Sequence, residues 1–494
     1  MDKRPNILLI LSDQQRRDSL GAYGCRYVST PNLDALAAEG TRYDHAYCSA
    51  PVCTPSRACI LTGKRLAGHG VYNLFDNLPE TERLLPWHLR EAGYQTGLVG
   101  KLHVSGILYE VRRRNPGDGF DHYELSHDPN VLLDEPLNAY GRWLRENHPE
   151  TYETIKREGR AWKDRPPETH FSTWVSERSA AFIRQRDRER PFFLSVGYFD
   201  PHSPYDNHPR GSEDLLHEEF RPPLTAPEGE PEGFRLEALD QIRRLQCRDP
   251  YTRFTPEEAE QLRRGYFAGV SFLDQQLGKI IRALKDEGIY DDTLIIYSSD
   301  HGDMLCDHNL LGKGAYFYDP CTSVPLIVKY PGQREGRVSG GLVQLADIFA
   351  TAMTAAGLDA PVPADSRPLQ RGPDRRIAVC EYRGCSQMDL GVFPHPVQAT
   401  MIRGERYKLN LYHDTHEMQL FDMEADPLEL RDLSRGPAYQ GVISELMGLY
   451  LDEKAAEDYR LNASRGGMSE IPSFSKLKQR IDERTAAKES FHGR

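Results

Sequence analysis

Short apolar runs alternate with helical patterns along the first two thirds of the chain. NILLILS at 6–12 is the first of these runs, has the length of a buried strand, and is followed at once by polar residues. Four further runs of the same kind predict strands at 94–101, 191–202, 292–303 and 324–331. The intervening patterns predict helices at 30–40, 83–92 and 256–287, of which the last is the longest and amphipathic.

This alternation predicts an α/β fold with a mostly parallel central sheet sandwiched by helices. Such sheets bind ligands beyond the carboxyl ends of their strands. Four of the predicted strands end in polar side chains, namely Asp13, Lys101, His202 and Asp300. Each side chain alone fits ordinary loop chemistry, but four at equivalent strand ends favour a functional site.

The pattern changes near 360–376, where proline and arginine accumulate as in a linker. Three alternating segments follow, IAVCEYR, ATMIRGERYKLNLY and MQLFDME, and they predict a small antiparallel sheet. Further helices are predicted at 439–457 and 474–488. We therefore expect an α/β domain at 1–370 and a smaller C-terminal α+β subdomain with a helical tail at 371–494. The irregular segments 105–170 and 203–255 are insertions that form either pocket walls or solvated surface.

The charge of the chain restricts its partners. The chain has 62 Lys and Arg against 74 Asp and Glu, a net charge of -12, which disfavours a nucleic-acid binder. A local pocket can still bind a small anion. The run at 7–11 is too short to cross a membrane and has no signal-peptide cleavage site, so a cytoplasmic protein is expected. The nine cysteines form no C-x-x-C pair, which argues against a disulfide scaffold or a structural zinc site.

Cys53 lies in SAPVCTPSRACILTG at 49–63. Pro55 fits the first turn of a helix that Cys53 or Thr54 would cap. Free backbone N–H groups there lower the pKa of a thiol, and Arg57 adds a cation one turn later. On spacing alone, a functional thiol and an inert core residue are equally open. Cys59 is expected to pack in the core.

Several long motifs share one order with a known family. They are PVCTPSRACILTG at 51–63, GYQTGLVGKLH at 93–103, PHSPY at 201–205, SDHGD at 299–303 with GK at 312–313, and LFDMEADPLE at 420–429. Together they resemble the type I sulfatases of the alkaline phosphatase-like superfamily, over residues 5 to about 435. The second motif has one spacer fewer before its histidine than the general pattern, which is a common variant.

The resemblance implies that a separate maturase oxidises Cys53 to Cα-formylglycine (3-oxoalanine). The hydrated aldehyde is a geminal diol, in which one hydroxyl attacks sulfur and the other allows release of sulfate without attack by water. The implied substrate is a small anionic sulfate ester, and the products are inorganic sulfate and an alcohol or phenol. No membrane or nucleic-acid partner is implied. The charged tail from about 458 is either solvated or extends onto a second subunit of a homo-oligomer.

The resemblance also implies one divalent metal. Its ligands would be Asp13, Gln14, Cys53, Asp300 and His301. Many sulfatases have an acid in place of Gln14 and an asparagine in place of His301. Oxygen ligands favour Ca²⁺, and the histidine nitrogen makes Mn²⁺ and Zn²⁺ the alternatives.

The remaining catalytic assignments also come from the resemblance. Arg57 would brace the formylglycine, Lys101 would bridge it to a sulfate oxygen, and His103 would bind the diol and act as base. His202 and Lys313 would contact the bridging oxygen, and one of them would protonate the leaving group. Candidate substrate-binding residues are His69, Asn73 and His308, with a turn role equally open for Asn73. Tyr205 is expected to form part of the pocket wall.

Two alternatives come from the same motifs. Asp13 and Gln14 with Asp300 and His301 also resemble the phosphonate monoester and phosphodiester hydrolases of this superfamily, whereas Lys101 and His103 favour sulfate esters. A non-catalytic binding protein would be expected to have lost one of the site residues. Neither G-x-S-x-G nor G-x-x-x-x-G-K-[ST] occurs in the sequence, which disfavours a serine hydrolase or a P-loop enzyme.

Overall fold

The protein is described by a computed structural model, which covers residues 4–162, 165–206, 208–209, 211–217, 254–359, 365–384, 397–413 and 415–464. Its largest element is an eight-stranded sheet. The strands are β1 (Asn6–Ser12), β2 (Thr41–Tyr47), β3 (Gln95–Gly100), β4 (His122–Leu125), β5 (Phe192–Gly197), β6 (Thr293–Ser299), β7 (Leu326–Lys329) and β8 (Arg337–Gln344).

The order across this sheet is β4-β3-β5-β1-β6-β7-β2-β8. Neighbouring strands are parallel except at β7, which runs antiparallel to both β6 and β2. The predicted mostly parallel sheet is therefore confirmed, and the five predicted strands are β1, β3, β5, β6 and β7.

Three strands were not predicted, and each lacks the continuous apolar run that marks a strand buried on both faces. β2 reads TRYDHAY, and β4 has only four residues in a segment predicted to be irregular. β8 is an edge strand whose first residues are exposed and which contains two consecutive glycines. Long-range pairing rather than local pattern places these strands in the sheet.

Helices cover both faces of the sheet. They are α1 (Pro31–Glu39), α2 (Cys53–Thr62), α3 (Leu66–His69), α4 (Leu85–Glu91), α5 (Ile107–Glu110), α6 (Ala139–Asn147), α7 (Pro149–Glu158), α8 (Phe171–Gln185), α9 (Pro256–Asp286), α10 (Asp319–Thr322), α11 (Asp347–Ala355) and α12 (Gln440–Ser464). The alternation along β1 explains the two layers. Ile7 and Leu9 pack into the core with α2, α4 and α11, whereas Leu8 and Ile10 pack with α1, α8 and α9.

The predicted helices α1, α4 and α9 are confirmed with small shifts at their ends. At α9, Thr255 forms a capping box with Glu258. The cap of α2 was predicted wrongly: the helix begins at Cys53, and Val52 is its N-cap residue. The apolar Val52 is extended and buried, and it provides no capping side chain, so the polar-cap rule does not identify it.

The segment 105–170 is more regular than predicted, since it contains α5, β4, α6 and α7. α6 and α7 are short amphipathic helices, and their buried Leu144 and Ile155 join the core on the α8 face. Most of the other predicted insertion, 203–255, lies outside the described residues.

A second sheet follows, as predicted, with β9 (Ala378–Arg383), β10 (Gln398–Arg403), β11 (Tyr407–Tyr412) and β12 (Glu417–Asp422). It is antiparallel throughout, in the order β12-β11-β10-β9. Cys380 and Met401 on one face join the core of the large sheet, whereas Val379 and Ile402 on the other face pack with α12. α12 confirms the helix predicted at 439–457 and extends it. The helix predicted at 474–488 lies outside the described residues, and the boundary at 370 stays a prediction.

Each of the seven cysteines in the described residues is a free thiol. Within the same residues, no helix combines the length and the apolar character needed to cross a bilayer.

Candidate active site

The carboxyl ends of three parallel strands carry the charged residues of one cluster. Asp13 follows β1, Lys101 follows β3, and Asp300 follows β6. His202 comes from the loop after β5, the strand that lies between β3 and β1. The contacts described below connect these four strand-end residues within one cluster.

A pair of glycines brings Lys101 into this cluster. A Cβ atom on Gly100 would lie 2.0 Å from the Gly197 carbonyl oxygen, and one on Gly197 would lie 2.0 Å from the Lys101 carbonyl oxygen. Gly100 also has a φ of +92°, which side chains with a Cβ rarely adopt. The ends of β3 and β5 therefore approach as they do only because both positions are glycine.

Cys53 lies at the centre of the cluster and is buried. Its Sγ is 3.2 Å from His301 Nε2 and 3.6 Å from Asp13 Oδ1. Lys313 Nζ donates to the same sulfur at 2.6 Å. Burial and Asp13 each raise the pKa of the Cys53 thiol, but Lys313 and Lys101 outweigh them, so the pKa is lowered.

Arg57, one turn further along α2, binds the carboxylates of Asp13 and Asp300. Its Nε donates to Asp300 Oδ2 at 2.6 Å, and its Nη2 lies 3.6 Å from Asp13 Oδ2. The guanidinium also donates to the Lys101 and Ser12 carbonyl oxygens, each at 3.2 Å. Arg57 is fully buried, so neither water nor salt screens these contacts.

The two carboxylates stay ionised in this setting. Burial alone would raise the pKa of Asp13, but Lys101, which also bonds to it directly, and the other nearby cations hold the pKa well below its usual value. Burial would also raise the pKa of Asp300. Arg57 outweighs this effect, so the pKa of Asp300 is lowered. Two carboxylates thus face three cationic side chains, Arg57, Lys101 and Lys313. The excess positive charge suits an anionic ligand.

Lys313 and His202 form a hydrogen-bonded pair at the edge of the cluster. His202 Nδ1 donates to the Ser203 carbonyl oxygen at 2.7 Å, so its Nε2 accepts from Lys313 Nζ at 3.1 Å. Burial and Lys313 hold the pKa of His202 well below its usual range. The imidazole is therefore neutral, and the transferable proton of the pair is on Lys313.

His301 Nε2 faces the same space and also lies 3.2 Å from Lys313 Nζ. Its Nδ1 donates to the Gly302 carbonyl oxygen at 2.8 Å, which leaves Nε2 facing Cys53. Ligand atoms of Asp13, Cys53, Asp300 and His301 all lie within 4.8 Å of one another. These are donor types that a divalent cation binds.

Gln14 adds an oxygen to this set. It adopts a φ of 64°, and its backbone N–H donates to Asp300 Oδ1 at 3.0 Å. Its side-chain oxygen Oε1 is buried and has no hydrogen-bond donor among the residues that the structure describes. A buried amide oxygen without a donor is costly unless a cation or another ligand satisfies it. The residues present therefore fit a divalent metal bound mainly by oxygen.

His103 lies beside α2, the helix that begins at Cys53. Its Nε2 is 3.0 Å from the Thr54 hydroxyl oxygen, next along the chain from Cys53. Burial, together with Lys101 and His127, holds the pKa of His103 well below its usual range. The ring is therefore neutral.

Comparison with known proteins agrees with this geometry. Residues 5–358 match the family model described as sulfatase, and residues 307–456 match the model of the C-terminal region of N-sulphoglucosamine sulphohydrolase. The chain belongs to the sulfatase family.

Among curated relatives of this sulfatase, the arylsulfatase of Clostridium perfringens is 29% identical over 91% of this chain and 94% of that protein. The choline-sulfatase of Rhizobium meliloti is 30% identical over 89% of this chain and 85% of that protein. The structure of phosphonate monoester hydrolase of Agrobacterium radiobacter covers 92% of this chain and 96% of its own, with a TM-score of 0.75 and 24% identity. The fold is therefore alkaline phosphatase-like, and the protein is a sulfuric ester hydrolase.

Three predicted substrate-binding residues of the sulfatase contact other partners. His69 Nε2 lies 3.2 Å from Cys59 Sγ, its Nδ1 accepts from the Val71 N–H, and burial lowers its pKa to about 3. The side-chain oxygen of Asn73 accepts from the Phe75 N–H at 2.8 Å, which is a turn contact.

The third residue, His308, stacks on Tyr318 with ring centroids 3.9 Å apart. It lines a cavity of about 500 Å³ that includes none of the residues that contact Cys53. The structure thus shows structural contacts for His69, Asn73 and His308, and their binding of substrate stays a prediction.

Two buried carboxylates that organise the site were missed from the sequence. Asp303 Oδ1 accepts from the backbone N–H groups of Leu305 and Gly312, and Oδ2 accepts from Tyr205 and Gln14. The position of Asp303 at the end of the SDHGD motif was a signal for a structural role.

Glu110 binds the backbone of the loop that carries His103, and no sequence motif includes Glu110. Tyr205, expected to form part of the wall, donates to Asp303.

Proposed function

We propose that this sulfatase hydrolyses small sulfate esters with a formylglycine made from Cys53 and one divalent metal. The observation that carries the proposal is the surroundings of the Cys53 side chain, which contacts Lys313 at 2.6 Å and His301 at 3.2 Å. A residue meant only to fill the core would not be placed among charged groups that are themselves buried. These groups instead match a site that activates an oxygen nucleophile and binds an anion.

The metal would be held by Asp13, Gln14, Asp300, His301 and the side chain at position 53. When bound, it would act as a Lewis acid toward the sulfate oxygens and the nucleophilic hydroxyl. Ca²⁺ is the proposed ion because most of these ligands are oxygens, and Mn²⁺ and Zn²⁺ are the alternatives.

The other side chains of the site would have separate roles in the reaction. In its hydrated form, residue 53 supplies one hydroxyl as the nucleophile and a second for release of sulfate. Lys101 and Arg57 stabilise negative charge on the sulfate and on the ligand carboxylates. Lys313 donates a proton to the leaving oxygen, because the His202 atom that faces it is an acceptor. Neutral His103 accepts a proton at Nε2 as sulfate leaves.

Mass spectrometry tests the modification. After co-expression with a formylglycine-generating maturase, the intact protein is expected to be about 18 Da lighter at Cys53, since sulfur is replaced by oxygen with loss of two hydrogens. The hydrated form shows almost no net change, so the peptide is also reacted with an aldehyde probe. Cys59→Ala is the matched control on the same helix and should keep both the aldehyde and the activity. A fully active preparation with an unmodified Cys53 thiol would disprove the mechanism.

A substrate panel tests the specificity. We expect a higher kcat/KM for an aryl sulfate than for the matched aryl phosphonate and phosphodiester, and loss of activity with a chelator that added Ca²⁺ restores. The second candidate function, phosphonate monoester or phosphodiester hydrolysis, is favoured by Gln14 and His301 in the metal set. A reversed ranking would support that candidate, and inactivity on the whole panel would support a binding protein.

A further inference from the structure

One buried carboxylate holds the backbone that follows Lys101. Glu110, at the end of α5, is only 3% exposed. Its Oε2 accepts from the His103 N–H at 2.9 Å, and its Oε1 accepts from the Val104 and Ser105 N–H groups, each at 2.7 Å. Three successive backbone donors therefore converge on a single side chain, as they do around a bound anion.

The convergence occurs at a residue with an unusual backbone conformation, His103. His103 has a φ of 57°, in the left-handed region that residues other than glycine rarely occupy. Such a conformation persists only where the surrounding structure compensates for it. The hydrogen bonds from the His103, Val104 and Ser105 N–H groups to Glu110 supply such compensation.

The conformation in turn determines where the imidazole lies. With the backbone so held, His103 Nε2 is 3.0 Å from the hydroxyl oxygen of Thr54, the residue after Cys53. His127 packs edge-on against the His103 ring, with centroids 5.0 Å apart, and its own Nε2 lies 2.8 Å from Glu110 Oε2. Glu110 therefore contacts both the backbone of His103 and the ring that packs against its side chain.

We propose that Glu110 is a positioning residue, which holds His103 at the nucleophile by binding the His103–Ser105 backbone and His127. The proposal rests on the proposed function of His103 in ester hydrolysis. Glu110 itself bonds to the loop backbone and lies in contact with His127, so it acts through His103 rather than on the substrate.

A double-mutant cycle tests this coupling. Glu110→Gln keeps the size of the side chain but places an N–H₂ group opposite at least one backbone donor. We expect kcat for an aryl sulfate to fall about 10- to 100-fold, because a displacement of about 1 Å at a catalytic group costs that much. KM should change much less, since the cations that bind the anion are unaffected. In a His103→Ala background, the same change should lower kcat by less than about two-fold.

Glu135→Gln is the matched control, because Glu135 lies in the same part of the chain but pairs with Arg112 at the surface. It should leave kcat unchanged in both backgrounds. Equal losses from Glu110→Gln with and without His103 would overturn the proposal, as they would show a general structural effect. If Glu110→Gln does not fold, Glu110→Asp replaces it in the cycle, because it retains the charge and withdraws the oxygens by one methylene.

A crystal structure of the variant separates this proposal from the function proposed above. In Glu110→Gln, we expect His103 to leave its left-handed conformation and to lose the Thr54 contact. An unchanged His103 in that structure would refute the positioning role, whatever the activity. Inactivity of the wild-type protein on sulfate esters would refute the proposed function alone.

Discussion

Replacement of Arg57 by methionine is the most direct test of how the charged cluster is held together. Methionine retains much of the apolar volume of the side chain but removes its charge and all its donors. Asp300 Oδ2 then loses the 2.6 Å contact with Arg57 Nε, while its other oxygen keeps the N–H groups of Gln14 and His301. Asp13 keeps its contact with Lys101. The variant therefore leaves one buried carboxylate oxygen without a donor.

The structure allows the size of this effect to be worked out. Removal of one partner of a buried ion pair costs about 3–5 kcal/mol, because the remaining charge stays buried. Arg57 also donates to the carbonyl oxygens of Ser12 and Lys101, and each lost bond adds about 1 kcal/mol. These contributions are not independent, so we expect a total of about 5 kcal/mol, at the lower end of their sum. Arg57→Lys should lie between this variant and the wild type, since one ammonium replaces only part of the guanidinium fork.

The assay is urea unfolding followed by circular dichroism, in the presence of a chelator so that no metal compensates for the lost cation. Arg112→Met is the control, since its ion pair with Glu135 is largely exposed and should leave the midpoint unchanged. A midpoint for Arg57→Met that equals the wild-type value, at an unchanged slope, would refute the view that this ion pair stabilises the strand ends.

Three further predictions concern other parts of the molecule. Asp13→Asn should lower Ca²⁺ affinity, measured by calorimetry, by at least about ten-fold, and an unchanged affinity would remove Asp13 from the ligand set. Gly197→Ala should destabilise the protein by about 3 kcal/mol and lower kcat, because its Cβ would lie 2.0 Å from the Lys101 carbonyl oxygen. Gly340→Ala is the control, since a Cβ there meets no atom within 4 Å. Equal thermal unfolding and equal activity of the two variants would contradict this prediction. Lys408→Met should lower the free energy of unfolding, measured with urea, by about 3 kcal/mol. The reason is that the buried ammonium lies 2.7 Å from Asp319 and also pairs with Glu429. An unchanged free energy of unfolding would show that both carboxyl groups take up protons in the variant.

Local pattern was enough to predict the elements that are buried on both faces. β1, β5 and β6 each contain a largely apolar run, and such a run indicates a central parallel strand without knowledge of its neighbours. The C-terminal sheet was also predicted, because Cys380 and Met401 alternate with Val379 and Ile402 between two apolar layers. The strands that were missed, β2, β4 and β8, have no such pattern.

The composition of the site was likewise predictable in part. Asp13, Lys101 and Asp300 could be expected to meet, since the ends of parallel strands share one edge of the sheet. The motifs pointed to Cys53, Arg57 and their companions through resemblance. The role of Glu110 could not be predicted, because the loop donors that it binds are backbone N–H groups, which every sequence contains. Asp303 lies within a motif, but its donors include Tyr205 and Gln14, which only the fold brings close to it.

The sequence by itself determined which residues are chemically suited to the reaction and which strands are buried. Only the tertiary structure decided that Lys313 reaches the sulfur of Cys53, that Gly100 and Gly197 let two strand ends meet, and that Glu110 supports His103. The physical reason is that burial and periodicity are short-range properties of the chain. Contacts between distant parts of the chain, such as Lys313 with Cys53 or Gly100 with Gly197, depend instead on how the layers pack. The nearby contact of Glu110 with His103 depends on the conformation of the loop between them, which no periodic pattern records.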